Sequence, residues 1–296
     1  MTQGMPQRPP SPATPLRDLC EDSFQTISAF ADEGDVAYAF NQYHLISAPV
    51  IDAAGRLVGQ FYLDPYARTG KRGGAWMSGL VTGGPSADGF RPHVGTVTTN
   101  FSTPEAGKPA LLTHDEVQTV FHEFGHLLHH LVSRVPIRAR SSMNVPWDFV
   151  ELPSQIMENW TWEKLALDLF ARHVDTGETI PAELFERLER TRTFGGAIGQ
   201  MRQLAFGTAD LALHRDYDPA GAEDPLEFAK GIMAPYEVRP EFASGARLTR
   251  FTHVFAGGYA AGYYSYKWAE VLSADAYAAF EEARTDDDQA SVETGR

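Results

Sequence analysis

From Thr113 onward the apolar positions follow the rhythm of an amphipathic helix. Val117, Val120, Phe121, Phe124, Leu127, Leu128 and Leu131 recur at steps of three and four. Thr113 and Glu116 form a capping-box pair, and Asp115 adds negative charge in the first turn, where the helix dipole favours it. No proline interrupts the run, so the pattern predicts a helix over about 114–132. Upstream the rhythm changes. Arg56 to Asp64 sets Leu57, Phe61 and Leu63 to one side and reads as a strand; His93 to Phe101, rich in β-branched residues, reads as a second. Between them lie a loop from Ala67 to Trp76 and further turn residues. Pro104 to Pro109 connects the second strand to the helix.

Downstream the pattern is helical almost throughout. A loop over 136–146 precedes a helical region over about 148–174. Further helices are expected over 181–192, 195–214, 226–234 and 262–284, with a polar loop over 216–224. Residues 1–20, rich in proline and polar side chains, are expected to be disordered. Residues 21–50 show scattered apolar positions without periodicity. No internal repeat or linker divides 55–284. The expected fold is a mainly α domain with a small β-sheet beside the 114–132 helix, an α+β arrangement.

That helix carries His122-Glu123-Phe124-Gly125-His126, an H-E-x-x-H sequence. On a helix, residues four apart differ by about 40° around the axis and about 6 Å along it. Both imidazoles therefore share one face and can share a metal, with Glu123 beside the open coordination position as a candidate general base. A metzincin would place glycine and histidine where this chain has His129 and Val132, so the third ligand should be a carboxylate. Between His126 and Pro153 the only acids are Asp148 and Glu151. Glu151, Gln155 and Glu158 recur on one helical face; Glu151 is assigned as ligand, and Glu158 as a group that orients a ligand histidine. His126 and His130 are also four apart, but no glutamate follows His126 to act as base. His129 and His130 therefore read as helix residues without a metal role. Gly70-Lys71-Arg72-Gly73-Gly74 lacks the spacing of a phosphate-binding loop.

Phe121-His-Glu-Phe-Gly-His126 followed by Trp147-Asp-Phe-Val-Glu-Leu-Pro-Ser-Gln-Ile-Met-Glu-Asn-Trp160 resembles the thimet oligopeptidase family of zinc metallopeptidases, its bacterial members above all. The likeness runs from about Gly55 to Glu282 and includes Gly70–Trp76 and Thr113–Val117. It implies a zincin-like catalytic domain holding one Zn²⁺ ion through His122, His126 and Glu151. It also implies that His253 and Tyr259 bind substrate or stabilise the transition state, with Tyr263 and Tyr266 near the scissile carbonyl. Without the resemblance, tyrosines at that helical spacing would read as core aromatics. Gly257, Gly258 and Gly262 correspond to a mobile loop near substrate. The expected reaction is hydrolysis of internal peptide bonds in short oligopeptides, with the His93–Phe101 strand pairing with extended substrate. The alternatives are a catalytically weak zinc- and peptide-binding fragment, or release of C-terminal dipeptides. Residues 1–54 match poorly, and 55–296 read as a catalytic domain lacking the family's final helices.

Bulk properties narrow the partners. A net charge of −14 argues against nonspecific nucleic-acid binding and against docking on anionic membranes. The acidic residues from Glu281 to Glu293 read as a solvated segment. A single cysteine, Cys20, rules out an intrachain disulfide and a cysteine-rich zinc site. The N-terminus lacks the apolar core of a signal peptide, and no run is long enough to span a bilayer. A cytoplasmic location is expected. Nothing in the sequence indicates an oligomeric state.

Overall fold

The computed structural model describes residues 27–28, 47–52, 55–87, 89–105, 108–239 and 245–283. The expected disorder of 1–20, Cys20 and the acidic run beyond residue 283 lie outside these.

The strands are β1 (Ile27–Ser28), β2 (Ser47–Ile51), β3 (Leu57–Tyr66), β4 (Trp76–Val81), β5 (Gly84–Ser86), β6 (Gly89–Arg91) and β7 (His93–Phe101). Five form one mixed sheet in the order β1-β2-β3-β7-β4; β5 and β6 form a separate hairpin. Both expected strands are present, and β3 lies parallel to β7 with Phe61 opposite Gly95. β4 pairs antiparallel with β7, placing Met77 opposite Val97. The sequence reading missed β4 because Trp-Met-Ser-Gly-Leu-Val has no apolar alternation; its burial is irregular along both faces. One expectation is overturned here. β7 lies between β3 and β4 and uses both its edges, so it cannot pair with a substrate. Among the described residues the edge nearest the motif helix is β4.

The helices are α1 (His114–Val132), α2 (Trp147–Val150), α3 (Leu152–Glu158), α4 (Lys164–Phe170), α5 (Ala182–Thr193), α6 (Gly196–Arg215), α7 (Pro225–Met233), α8 (Thr252–Ala256) and α9 (Ser265–Glu282). α1 has the expected bounds and the expected capping box: Thr113 accepts from the Glu116 N–H, and the Glu116 carboxylate accepts from the Thr113 N–H at 2.8 Å. α1 packs on the sheet over glycines from three neighbouring strands. A Cβ on Gly59 or Gly95 would stand 2.7 Å from the side chain of Leu131 or Leu127, and one on Gly79 would stand 3.0 Å from His130. Missing side chains on the sheet therefore set how closely the helix descends. Ala48, Phe61, Val97, Leu127 and Leu131 close the core beneath it. A second core joins α6, α7 and α8 through Phe206, Met233, Phe251, Val254 and Tyr263.

Two expected helices differ in detail. The 148–174 region breaks into α2, α3, a 3₁₀ turn over Asn159–Trp162, and α4. Pro153 lies in the first turn of α3, where its missing N–H costs nothing, but it cannot continue α2. Glu151 occupies the junction at φ −86° and ψ −8°. The final helix starts at Ser265 because a tight loop with Gly258 at φ 86° and Ala261 at φ 52° precedes it.

The glycine inside the motif sets the distance between α1 and α3. A Cβ on Gly125 would lie 2.2 Å from the Pro153 carbonyl oxygen and 2.6 Å from the Ser154 Cα. Both obstacles are backbone, so neither can rotate away. Gly125→Ala is expected to cost about 1–3 kcal/mol by overpacking and to displace Glu151 from the two histidines. Thermal unfolding and metal titration check this; an unchanged midpoint with unchanged metal affinity would refute it.

Candidate metal centre

α1 presents His122 and His126 on the face that meets α3, and the α2–α3 junction brings Glu151 to them. One potential ligand atom from each lies within 4.8 Å of the other two. Glu151 Oε2 is 3.3 Å from His122 Nε2 and 3.2 Å from His126 Nε2. Glu151 is 1% exposed, so its charge has little help from water. Burial pushes its carboxyl up, but the two imidazoles outweigh that and hold it well below the usual carboxylate range. Burial pulls His122 down, and Glu151 with Glu158 outweighs it, raising the imidazole to about 10. A buried anion facing two converging ring nitrogens calls for positive charge among them, and a divalent cation satisfies that demand in place of protons. The residues present fit a metal ion.

The surrounding groups orient these three. Glu158 Oε1 lies 2.6 Å from His122 Nδ1, as expected of an orienting carboxylate, and its Oε2 accepts from Gln118 at 2.8 Å. Ser154 Oγ donates to Glu151 Oε2 at 2.9 Å, and Tyr259 Oη donates to Glu151 Oε1. Gln118 and Ser154 went unnoticed in the sequence, although each lies a helical turn from a motif residue. Glu158→Gln is expected to weaken metal binding about 10–100-fold because an amide cannot supply the same charge to His122. Competition against a zinc indicator measures it, and parent-like affinity would refute the role.

Glu123 is buried beside this cluster, and its Oε2 has no hydrogen-bond partner. Burial pushes its carboxyl above the ordinary glutamate range, while the histidines and the Met77 backbone on β4 pull it back. A buried carboxyl with a raised pKa and a free oxygen is suited to accept a proton. His130, by contrast, is structural: it lies 3.0 Å from the Val94 carbonyl and hydrogen-bonds with Ser142, and burial lowers its pKa. His129 sits against Phe149 at 6.2 Å between ring centres and is not one of the three clustered residues.

α8, the loop after it and the start of α9 bring His253, Tyr259, Tyr263 and Tyr266 together. Tyr259 and Tyr266 stack at 5.1 Å, and the His253 ring lies 5.8–6.0 Å from all three tyrosines. Burial raises the pKa of each tyrosine, with Glu151 adding to it, so the phenols stay neutral donors. Trp147 packs on Tyr259 at 4.4 Å. Asp210, fully buried on α6, holds this loop: its two carboxylate oxygens accept from the Ala261 and Tyr263 N–H groups at 2.9 Å each, and His214 Nδ1 lies 3.1 Å away. No local signal marks Asp210 as the anchor of this loop, because the two N–H groups it binds lie more than fifty residues away.

The sequence matches the profile of Peptidase family M3 over residues 31–296. The chain belongs to Peptidase family M3. It is 49% identical over 233 residues to oligopeptidase A of Salmonella typhimurium and 48% identical to that of Escherichia coli, each alignment covering 78% of this chain and 34% of the relative. A dipeptidyl carboxypeptidase of Salmonella typhimurium is 38% identical over 79% of this chain and 34% of its own length. The chain thus spans about a third of the length of the relatives it matches. The M3 match extends towards the N-terminus past β3 and includes β2, a strand the sequence reading did not anticipate.

Proposed function

We propose that this M3 chain carries the catalytic region of a zinc endopeptidase acting on short oligopeptides. The observation that carries the reading is the convergence of His122, His126 and Glu151 with the buried carboxyl of Glu123 beside them. Two imidazole nitrogens and a carboxylate oxygen form a donor set suited to catalytic zinc. Zinc held there would acidify water and polarise a carbonyl. Glu123 accepts the proton of the attacking water and passes it to the departing amine. Tyr259, whose hydroxyl reaches Glu151, is grouped with Tyr263, Tyr266 and His253, and these donate hydrogen bonds to the oxygen that gains charge; neutral phenols do so without a competing charge. The β4 edge, beside Glu123, offers backbone groups to an extended peptide, a contact indifferent to side-chain identity.

A cytosolic site of action accompanies this reading. The one cysteine allows no intrachain disulfide, and no described helix is long and apolar enough to cross a membrane. Relatives include a probable cytosolic oligopeptidase A and an organellar one from Arabidopsis thaliana.

A quenched fluorescent peptide tests the proposal. Turnover should vanish with a chelator and return when zinc is restored. One bound equivalent of zinc without chelator-sensitive turnover would favour a zinc- and peptide-binding role instead.

A further inference from the structure

Next to the tyrosines a cavity of about 400 Å³ opens, within the size range of small-ligand sites. Arg202 on α6 and Arg247 and Arg250 on the Gly245–Arg250 turn supply three guanidinium groups to its lining; Phe206 contributes an apolar wall, and His253 and Tyr263 face it from the proposed active site. Such a concentration of positive charge is unexpected in a chain of net charge −14.

The three arginines are not equivalent. Arg247 pairs with Glu237 and so is already neutralised. Arg202 lies over the Phe206 ring, 4.7 Å from its centre, a stacking that orients the guanidinium plane. Among the described residues neither Arg202 nor Arg250 forms a salt bridge with an acidic side chain, and both are exposed. The Arg202 charge also reaches the proposed active site. Burial lowers the His253 pKa, Glu151 pulls it back up, and Arg202 and Arg72 push it down again. Two unpaired guanidinium groups lining one cavity can meet a planar anion through paired N–H···O bonds. Peptides carry such anions in two places: the terminal carboxylate and the acidic side chains.

We propose that this cavity is a carboxylate subsite, in which Arg202 and Arg250 bind a carboxylate of the peptide whose scissile bond lies beside Tyr263 and His253. The proposal rests on the peptidase reading and deepens it, making position relative to an acidic group a determinant of cleavage.

The test uses four peptides of one sequence: with free or amidated C-terminus, and with Glu or Gln at one internal position. Their affinities for the zinc-loaded Glu123→Gln chain are read by fluorescence anisotropy. At least one carboxylate is expected to tighten binding about ten-fold relative to its neutral counterpart, and added salt should shrink the difference. Which pair differs tells a terminal carboxylate from a side-chain one. Arg202→Gln with Arg250→Gln should bring the ratio close to one; both residues are exposed, so the fold should tolerate the change. Equal affinities for all four peptides, a salt-independent difference, or discrimination that survives the double substitution would overturn the subsite. Cleavage by the unsubstituted chain is scored separately. Discriminating binding without cleavage removes the peptidase reading alone, and cleavage without discrimination removes the subsite alone.

Discussion

Glu123→Gln is expected to keep the metal and to lower hydrolysis by roughly 10²–10⁴-fold. The substitution preserves size in a buried position and leaves His122, His126 and Glu151 in place. What it removes is the capacity to accept a proton: a glutamine amide has no basic oxygen near neutral pH. The loss should therefore fall on kcat, with zinc stoichiometry and thermal midpoint close to those of the parent. Zinc content is measured on the same sample as turnover. Parent-like hydrolysis would assign the base elsewhere, whereas loss of zinc would make Glu123 a support of the metal site.

Glu151→Ala is expected to abolish tight metal binding, and with it all hydrolysis. Losing an orienting group outside the metal's own ligands weakens a site about 10–100-fold, so losing a direct ligand should exceed that. The Glu151 carboxylate is also the acceptor for Tyr259, which would lose it, and for Ser154, which would keep the Glu151 backbone carbonyl at 2.8 Å. The fold should survive better than the site, since the break between α2 and α3 is set by Pro153 rather than by the carboxylate. Calorimetric zinc titration separates the outcomes. Parent-like zinc affinity in Glu151→Ala would eliminate this residue as a ligand. The pair of substitutions thus divides the candidate site: Glu123→Gln should lose turnover with zinc bound, and Glu151→Ala should lose both.

The His122–His126–Glu151 cluster was legible because its key relations are local or nearly so. Four residues on a helix set His122 beside His126, and the capping box marked where that helix starts. Glu151 was within reach of elimination, since few acids follow the motif closely. The continuous helix assumed after Asp148 was the weaker inference. Pro153 interrupts it, and the interruption brings Glu151 to the histidines at a junction rather than on a helical face. The strand role assigned to β7 failed for a different reason. Its β-branched sequence marks a strand, but composition does not reveal how many neighbours the strand has, and β4 takes the edge.

By itself the sequence determined the α1 helix, the placement of His122 and His126 on one face with Glu123 between them in the chain, and the mainly helical class. These follow from periodicity and capping, which act over a few residues. Only the tertiary structure decided which strand is left at the sheet edge, how closely α1 approaches α3, and what holds the His253–Tyr266 segment. The last two are contacts between distant parts of the chain: Gly125 admits the Pro153 backbone, and Asp210 binds the Ala261 and Tyr263 N–H groups. Neither contact has a local period, because each depends on where packing brings two backbones together.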